Sequence, residues 1–298
     1  MKRIAVIGAG KWGQALAFAL AKNPQNDVCI TSRHRREIEN FVDLNTALSC
    51  DWLVMAIPAQ HVGGWLKEHF RCEGKKVLVA AKGIEAESGR FLNEIFAEHV
   101  HRDAIAFLSG PSFAAEVMRS LPTAVVISSE NAELAMEWAE AFPAFMRTYT
   151  DTDVVGAEIS GAYKNVIAIA SGICRGLELG NNAAAALIAR GLIEMRRFGR
   201  AYGAVDETFM GLSGAGDLFL TASSEMSRNY RVGLGLAAGK SKDAIVEELG
   251  EVAEGIGTAY ALHGIARREH LYLPIATEVY EILEGKAPRE SLHDLLTR

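Results

Sequence analysis

The feature that most restricts this chain stands near its start, where residues 8–13 read Gly8-Ala9-Gly10-Lys11-Trp12-Gly13. They follow the apolar run Ile4-Ala5-Val6-Ile7 directly and open a helical pattern from Gln14. Each glycine has its own physical reason. Gly8 permits a tight turn out of a strand, Gly10 lets the backbone approach a pyrophosphate, and Gly13 lets a helix pack closely on the strand. The helix N-terminus then offers its free N–H groups to the anion. Elsewhere in a chain the same glycines would read as an ordinary turn; between a clean strand and a helix they predict a dinucleotide-binding β-α-β unit.

The rest of the first half agrees with such a unit. Short β-rich runs at residues 4–7, 27–31, 52–57, 76–81, 104–108, 124–128 and 145–149 alternate with helical patterns. Such alternation predicts a doubly wound sheet, and continuous rather than alternating apolar runs fit strands covered by helices on both faces. After Asp151 the strands stop, and residues from Val154 onward show helical spacing rich in Ala, Leu, Ile, Glu and Arg. The fold class expected is therefore α/β, a Rossmann-like doubly wound sheet at 1–150, followed by an all-helical substrate-binding and catalytic domain at 151–298. A length of 298 residues suits two domains, at roughly 150 residues each.

A net charge of −6 argues against a nucleic-acid surface, which needs an excess of Lys and Arg. Cys29, Cys50, Cys72 and Cys174 are scattered, form no C-x-x-C pair and have no His at metal-ligand spacing, so they read as buried, reduced thiols and no metal is expected. The basic start Met1-Lys2-Arg3 imitates a signal peptide, but glycines and Lys11 interrupt the apolar run. No stretch approaches the roughly 18 apolar residues of a membrane span. The expected compartment is the cytoplasm.

Cofactor choice is read at the end of the second strand, where an Asp or Glu would bind a ribose 2′-hydroxyl. Here the chain reads Ser32-Arg33-His34-Arg35-Arg36. Cations in place of a carboxylate suit a 2′-phosphate, with Arg33 and His34 as the contacts and Arg35 and Arg36 as solvated residues at a helix start. NADPH is therefore expected ahead of NADH, with NAD still possible.

Further on, Lys82-Gly83 lies just past a strand end, where open α/β sheets bind ligands. Ser109-Gly110-Pro111-Ser112-Phe113-Ala114 offers hydroxyls and N–H groups at a helix start, although for Ser109 and Pro111 turn chemistry is the expected role. On the helix after Val154, Val155, Ile159, Tyr163, Val166, Ile167 and Ala170 form an apolar stripe. The opposite stripe, Ala157, Ser160, Gly161, Lys164, Ala168 and Ser171, sets one cation among small residues and is expected to leave room for a ligand. Glu158 and Asn165 flank it and are candidates to fix the lysine or a substrate hydroxyl. Gly214-Ala215-Gly216-Asp217 ends in an aspartate that is equally a helix N-cap, and Ser227-Arg228-Asn229 presents donors suited to a phosphate.

In these motifs the chain resembles the bacterial-type NAD(P)-dependent glycerol-3-phosphate dehydrogenases. The resemblance is carried by residues 8–13, Ala81-Lys82-Gly83, residues 110–114, Lys164-Asn165-Val166, Ala185-x-Leu187-Ile188, Arg190-Gly191-Leu192, Gly214-x-Gly216-Asp217, residues 227–229 and Glu254-Gly255, in family order along nearly the whole chain. It implies reversible reduction of dihydroxyacetone phosphate to sn-glycerol 3-phosphate, feeding glycerophospholipid synthesis. Lys164 would then be the proton donor and acceptor, with Asp217 beside it. The resemblance further implies substrate contacts at Lys82, Gly110, Ser112, Lys164, Asn165, Asp217, Ser227, Arg228 and Asn229. For the cofactor it implies Gly8, Gly10, Lys11, Trp12, Gly13, Arg33, His34, Lys82, Ala114, Arg228, Val252 and Glu254. It also implies a homodimer acting on a small phosphorylated substrate.

Three departures stand out: Lys11 where the family has a small polar residue, a shortened stretch between Thr31 and Asp51, and Asn181-Asn182 in place of Asp-Asn. Two rival readings remain. A β-hydroxyacid or 6-phosphogluconate-type dehydrogenase shares the two-part plan and a Lys-Asn pair, but Gly216-Asp217 and residues 227–229 tell against it. A catalytically silent NADPH-binding sensor is opposed by the presence of both Lys164 and Asp217.

Overall fold

All seven expected strands form: β1 (Lys2–Ile7), β2 (Asn26–Thr31), β3 (Trp52–Met55), β4 (Lys76–Val79), β5 (Ile105–Ser109), β6 (Thr123–Ser128) and β7 (Met146–Asp151). The computed structural model describes residues 1–71 and 74–297. The strands make one sheet in the order β2-β1-β3-β4-β5-β6-β7. The intervening helices are α1 (Lys11–Ala21), α2 (Leu44–Leu48), α3 (Ala59–His69), α4 (Leu92–Ala97), α5 (Ala114–Val117) and α6 (Ala132–Ala139). The first five strands run parallel, and the strand order reverses at β1, where a doubly wound sheet places its ligand crevice.

β6 departs from the uniformly parallel expectation and pairs antiparallel with β5. A parallel return needs a crossover of a dozen or more residues, normally along a helix that spans the sheet. Between β5 and β6 the only helix is α5, four residues long, so the chain turns back at the end it came from.

The strands sort their side chains onto two faces. Ile4, Val6, Val28, Ile30, Val54 and Leu78 pack with Leu16, Leu20 and Trp138, whereas Ala5, Ile7, Leu53, Met55, Val77 and Val79 pack with Leu66 and Phe96. Burial on both faces is why the runs read as continuously apolar. Cys29 and Cys50 are free thiols whose sulfurs lie 3.8 Å apart, and burial together with Cys50 pushes the Cys29 thiol up to about 12. Cys29 is half-buried rather than buried, Cys174 is a buried free thiol, and Cys72 lies outside the described residues.

The chain divides into two compact units, Met1–Ala81 with Leu92–Ala157, and Lys82–Phe91 with Glu158–Arg298. The ten-residue segment that opens with Lys82 thus belongs with the helices. These are α7 (Val154–Gly176), α8 (Gly180–Ala201), α9 (Asp206–Met210), α10 (Asp217–Ala222), α11 (Arg228–Ala237), α12 (Lys242–Leu249), α13 (Glu254–Glu269), α14 (Pro274–Leu283) and α15 (Pro288–Thr297).

α7 corrects the two-stripe expectation, because residues 156–174 are buried without interruption. A helix hydrophobic or small all round is a core helix. Its small residues accommodate other protein segments: a Cβ on Gly172 would stand 2.0 Å from the Tyr230 carbonyl oxygen, and Ser171 Oγ donates to Ala222 O at 2.7 Å.

One buried carboxylate ties three helices together. Glu194 of α8 accepts from the Ile275 and Ala276 amides, both at 2.9 Å, and from the Tyr163 hydroxyl at 2.8 Å. α14 begins with Pro274 and has no side-chain cap of its own, so Glu194 caps it from outside. Among the described residues no helix is long and apolar enough to cross a membrane, and no cluster of His, Cys, Asp or Glu could hold a metal ion.

Candidate active site

In the first unit the three glycines separate into two kinds. Gly8 has φ +116°, and a Cβ there would lie 2.6 Å from Ala56 O; a Cβ on Gly13 would lie 1.7 Å from Gly8 O. Both are demanded by the packing of the chain on itself. Gly10 is not: its φ is −72° and a Cβ there would meet nothing within 4 Å. It is exposed and precedes α1 without any side-chain cap, so its bare backbone and the start of α1 form a cradle of the kind that holds a pyrophosphate. These residues fit a dinucleotide.

Around that cradle, Gln14 Nε2 donates to Ala9 O at 2.9 Å and Trp12 Nε1 to Ala80 O at 3.2 Å, which tethers α1 to the end of β4. Lys11 is exposed at the first position of α1. Past β2, Arg33 Nε donates to His34 Nε2 at 3.2 Å, so the exposed ring lies against the exposed guanidinium. After β5, Gly110 takes φ +99°, Ser112 Oγ donates to Gly110 O at 3.1 Å, and Ala114 is the first residue of α5.

In the helical unit Lys164, Asp217 and Lys82 meet. Lys164 Nζ donates to Asp217 Oδ1 at 2.6 Å, and Lys82 Nζ donates to Asp217 Oδ2 at 2.8 Å. A fourth member is a residue to which the sequence assigned no role. Thr221 Oγ1 accepts from Lys164 Nζ at 2.9 Å and donates to Asp217 Oδ1 at 3.3 Å. The signal available was spacing, since Thr221 follows Asp217 by one helical turn and so shares its face. Asp217 is 1% exposed and Lys164 8%.

The electrostatics follow from that burial. Burial lowers the Lys164 ammonium to about 8; Asp217 opposes this, and Lys82 adds to it. Burial acts to raise the Asp217 carboxyl, but Lys164 and Lys82 outweigh it and hold the group below the ordinary carboxylate value. Asp217 begins α10 after a π-helical turn, residues 212–216, which packs so tightly on α9 that a Cβ on Gly214 would stand 2.2 Å from Phe209 O. The aspartate is thus engaged with two lysines, whereas the sequence had left helix capping equally open.

Other expected residues have structural partners. Asn165 Nδ2 donates to Gly161 O at 3.2 Å on its own helix, and the partners of Lys164 are Asp217 and Thr221 instead. Glu158 is buried on the same helix. Ser227 Oγ caps α11 by accepting from Tyr230 N at 3.3 Å. Asn229 Oδ1 accepts from Gly255 N at 2.9 Å, next to Glu254 at the start of α13. Arg228 is paired with Glu251 at 3.5 Å, and Val252 is exposed.

Both halves of the chain match one family. The profile described as NAD-dependent glycerol-3-phosphate dehydrogenase C-terminus covers residues 153–294, and the corresponding N-terminus profile covers residues 3–46 and 35–135. The chain belongs to the NAD-dependent glycerol-3-phosphate dehydrogenase family. Among its relatives, a glycerol-3-phosphate dehydrogenase (NAD(P)+) of Sulfurimonas denitrificans is 66% identical over 297 residues, covering 100% of both chains. One from Campylobacter jejuni is 57% identical over 294 residues, 99% of this chain and 98% of that one. The crystal structure of glycerol-3-phosphate dehydrogenase from Coxiella burnetii superposes with a TM-score of 0.91 at 33% identity, covering 100% of this chain and 99% of that one.

Family membership answers one of the departures. The Sulfurimonas protein aligns over its whole length, so the short stretch between Thr31 and Asp51 is no loss peculiar to this chain. In the structure that stretch returns to the sheet edge through a bridge from Phe41 to Ile30 and continues into α2, which Asp43 caps by accepting from Thr46 N at 3.0 Å.

Proposed function

We propose that this chain reduces dihydroxyacetone phosphate to sn-glycerol 3-phosphate, reversibly, with NADPH preferred over NADH. One observation carries the reading: in a chain of this family, a buried lysine shares its carboxylate partner with a second lysine and is also held by a threonine. When bound, the reduced dinucleotide supplies a hydride to C2 of the ketone. Lys164 Nζ gives a proton to the oxygen on C2 as negative charge grows there, and takes it back in the reverse reaction.

A general acid works best with a pKa near the working pH. At about 8, Lys164 keeps its proton at neutral pH yet surrenders it far more readily than an exposed lysine. Asp217 and Thr221 occupy two of its three N–H donors, which aims the remaining one. Lys82 adds positive charge beside the same carboxylate and favours a developing oxyanion. Arg228 and the Asn229 amide NH₂ suit the substrate phosphate, with Gly110 and Ser112 as further contacts; binding that distant group orients the carbonyl.

Gly8, Gly10 and Gly13 serve the pyrophosphate, Lys11 and Trp12 flank it, and Arg33 with His34 receives the 2′-phosphate. Lys82, Ala114, Arg228, Val252 and Glu254 complete the cofactor set. The enzyme works as a cytoplasmic homodimer.

The test is the loss of NADPH absorbance with dihydroxyacetone phosphate, set against unphosphorylated ketones and β-hydroxyacid precursors. Lys164→Ala should lower kcat by about 10²–10⁴-fold with little change in NADPH affinity. A variant that keeps half its turnover near neutral pH would place the proton donor elsewhere.

A further inference from the structure

Lys82 reaches Asp217 from the strap formed by residues 82–91, and two features of the helical unit determine where its side chain lies. The first is a seat. A Cβ built on Gly161 would touch the Lys82 stem at Cγ, 3.4 Å, Cδ, 3.5 Å, and Cβ, 3.6 Å. The aliphatic chain therefore lies directly across the backbone of α7, one turn before Lys164. The small stripe expected to make room for a ligand at this point makes room for a lysine of the same protein.

The second is an anchor at the other end of the strap. Phe91 is 5% exposed and meets Tyr202 edge-on at 4.9 Å and Phe198 at 6.3 Å between ring centroids. Phe198, fully buried, also packs on Tyr202 at 5.0 Å and on Tyr163 at 5.6 Å. Tyr163 is the residue before Lys164, and its hydroxyl is fixed by Glu194. One aromatic run thus holds the far end of the strap and the helix that carries the other lysine. Aromatic pairs at these separations attract beyond their burial alone.

We propose that Phe91 and Gly161 are positioning residues, which act together to hold the Lys82 ammonium on the second oxygen of Asp217 beside Lys164. The proposal rests on the reading of Lys164 as proton donor only for its kinetic consequence. Among the described residues, three groups face Lys164 Nζ: the Asp217 carboxylate and the Thr221 hydroxyl from α10, and the Lys82 ammonium from the strap. With Lys82 displaced, the carboxylate belongs to Lys164 alone and one repelling cation is gone. The Lys164 midpoint must then rise, by about one pH unit or more.

The experiment titrates Lys164 directly, by the ¹³Cε–¹Hε NMR signals of the full-length protein labelled with ¹³C-lysine, which leaves every N–H in place, with the signal assigned by its loss in Lys164→Arg. Lys82→Met sets the size of the upward shift. Phe91→Ala and Gly161→Val should each shift the midpoint the same way by a comparable amount, and neither should add to Lys82→Met. Gly161→Ala, whose methyl makes only ordinary contact with the stem, should leave the midpoint unchanged. Phe91→Leu keeps the anchor testable if Phe91→Ala does not fold, and should give a smaller shift in the same direction.

Folded Phe91 and Gly161 variants with the unmodified midpoint, while Lys82→Met moves it, would overturn the proposal. So would a Phe91→Ala shift of equal size in the Lys82→Met background. The pH profile of kcat is read on the same variants. A midpoint that moves in NMR while the kinetic profile stays fixed would remove Lys164 from proton transfer and leave the positioning role standing.

Discussion

Replacing Asp217 with Asn removes the one carboxylate that two largely buried ammonium groups share. The carboxylate is 1% exposed, and the side chains of Lys164 and Lys82 are 8% and 17% exposed. Removing one member of a buried ion pair costs about 3–5 kcal/mol, because the charge left behind has neither water nor partner. The cost depends on pH in a way that identifies its cause. Asp217 raises the Lys164 pKa, so without it the value falls below about 8. Between that lower value and 8, the folded variant sheds a proton that the unfolded chain keeps, since a free lysine holds its proton to about 10.4. The stability of the variant therefore climbs through this window while that of the unmodified protein stays flat. The deficit should be greatest at about pH 6 and shrink by up to about 1.4 kcal/mol per pH unit toward pH 8. Asp217 itself, held below the ordinary carboxylate value, stabilises above the unfolded pKa of about 3.9 and loses its effect only as pH falls through its folded value. Urea midpoints by far-ultraviolet circular dichroism at about pH 6, 7 and 8.5, with a constant slope, measure the deficit. A deficit below about 1 kcal/mol, or one equal at all three pH values, would refute the shared-carboxylate account.

Gly8→Ala should cost about 1–3 kcal/mol of stability through its positive φ and the Ala56 contact. Gly10→Ser should leave the melting temperature unchanged or raised, because serine is a better N-cap, and weaken NADPH by tenfold or more; thermal melts and cofactor titrations separate the two. Glu194→Ala should destabilise by about 3 kcal/mol, since it strands two amides and a hydroxyl, whereas Tyr163→Phe should cost about 1 kcal/mol; urea unfolding measures both. Arg33→Asp should raise the Kd for NADPH by about tenfold or more and leave NADH little changed. Equal affinity for the two cofactors before and after the substitution would remove Arg33 from cofactor selection.

How much of this was legible follows from the range of the forces involved. Strands covered on both faces announce themselves as unbroken apolar runs, and a glycine cradle is a local pattern, so both were readable. Strand ends were less so: β3 and β4 stop at Met55 and Val79, two residues before their apolar runs do, because pairing with neighbours rather than composition ends a ladder. The reversal of β6 depended on the single turn of α5, which no periodicity records. Lys164 was legible by its small neighbours, but for the wrong reason, as Gly161 and Gly172 give way to Lys82 and to α11 rather than to a ligand. Asn165 and Ser227 also have local partners, Gly161 and Tyr230, which spacing alone does not rank. Thr221 was hidden because threonine four residues past an aspartate is common on any helix face.

The outside cap on α14 has a consequence for how the helical unit breathes. A helix whose opening amides are held by a carboxylate on another helix cannot fray alone: releasing Ile275 and Ala276 strips Glu194, and stripping Glu194 frees the Tyr163 hydroxyl. α7, α8 and the first turn of α14 should therefore open as one cooperative block, with the Ile275 and Ala276 amides exchanging with solvent at the slow rate of the central helix rather than at the fast rate of a helix end. Lys164, the residue after Tyr163 on α7, then sits in a part of the chain that is either wholly closed or wholly open, and its geometry is kept through every smaller fluctuation around it.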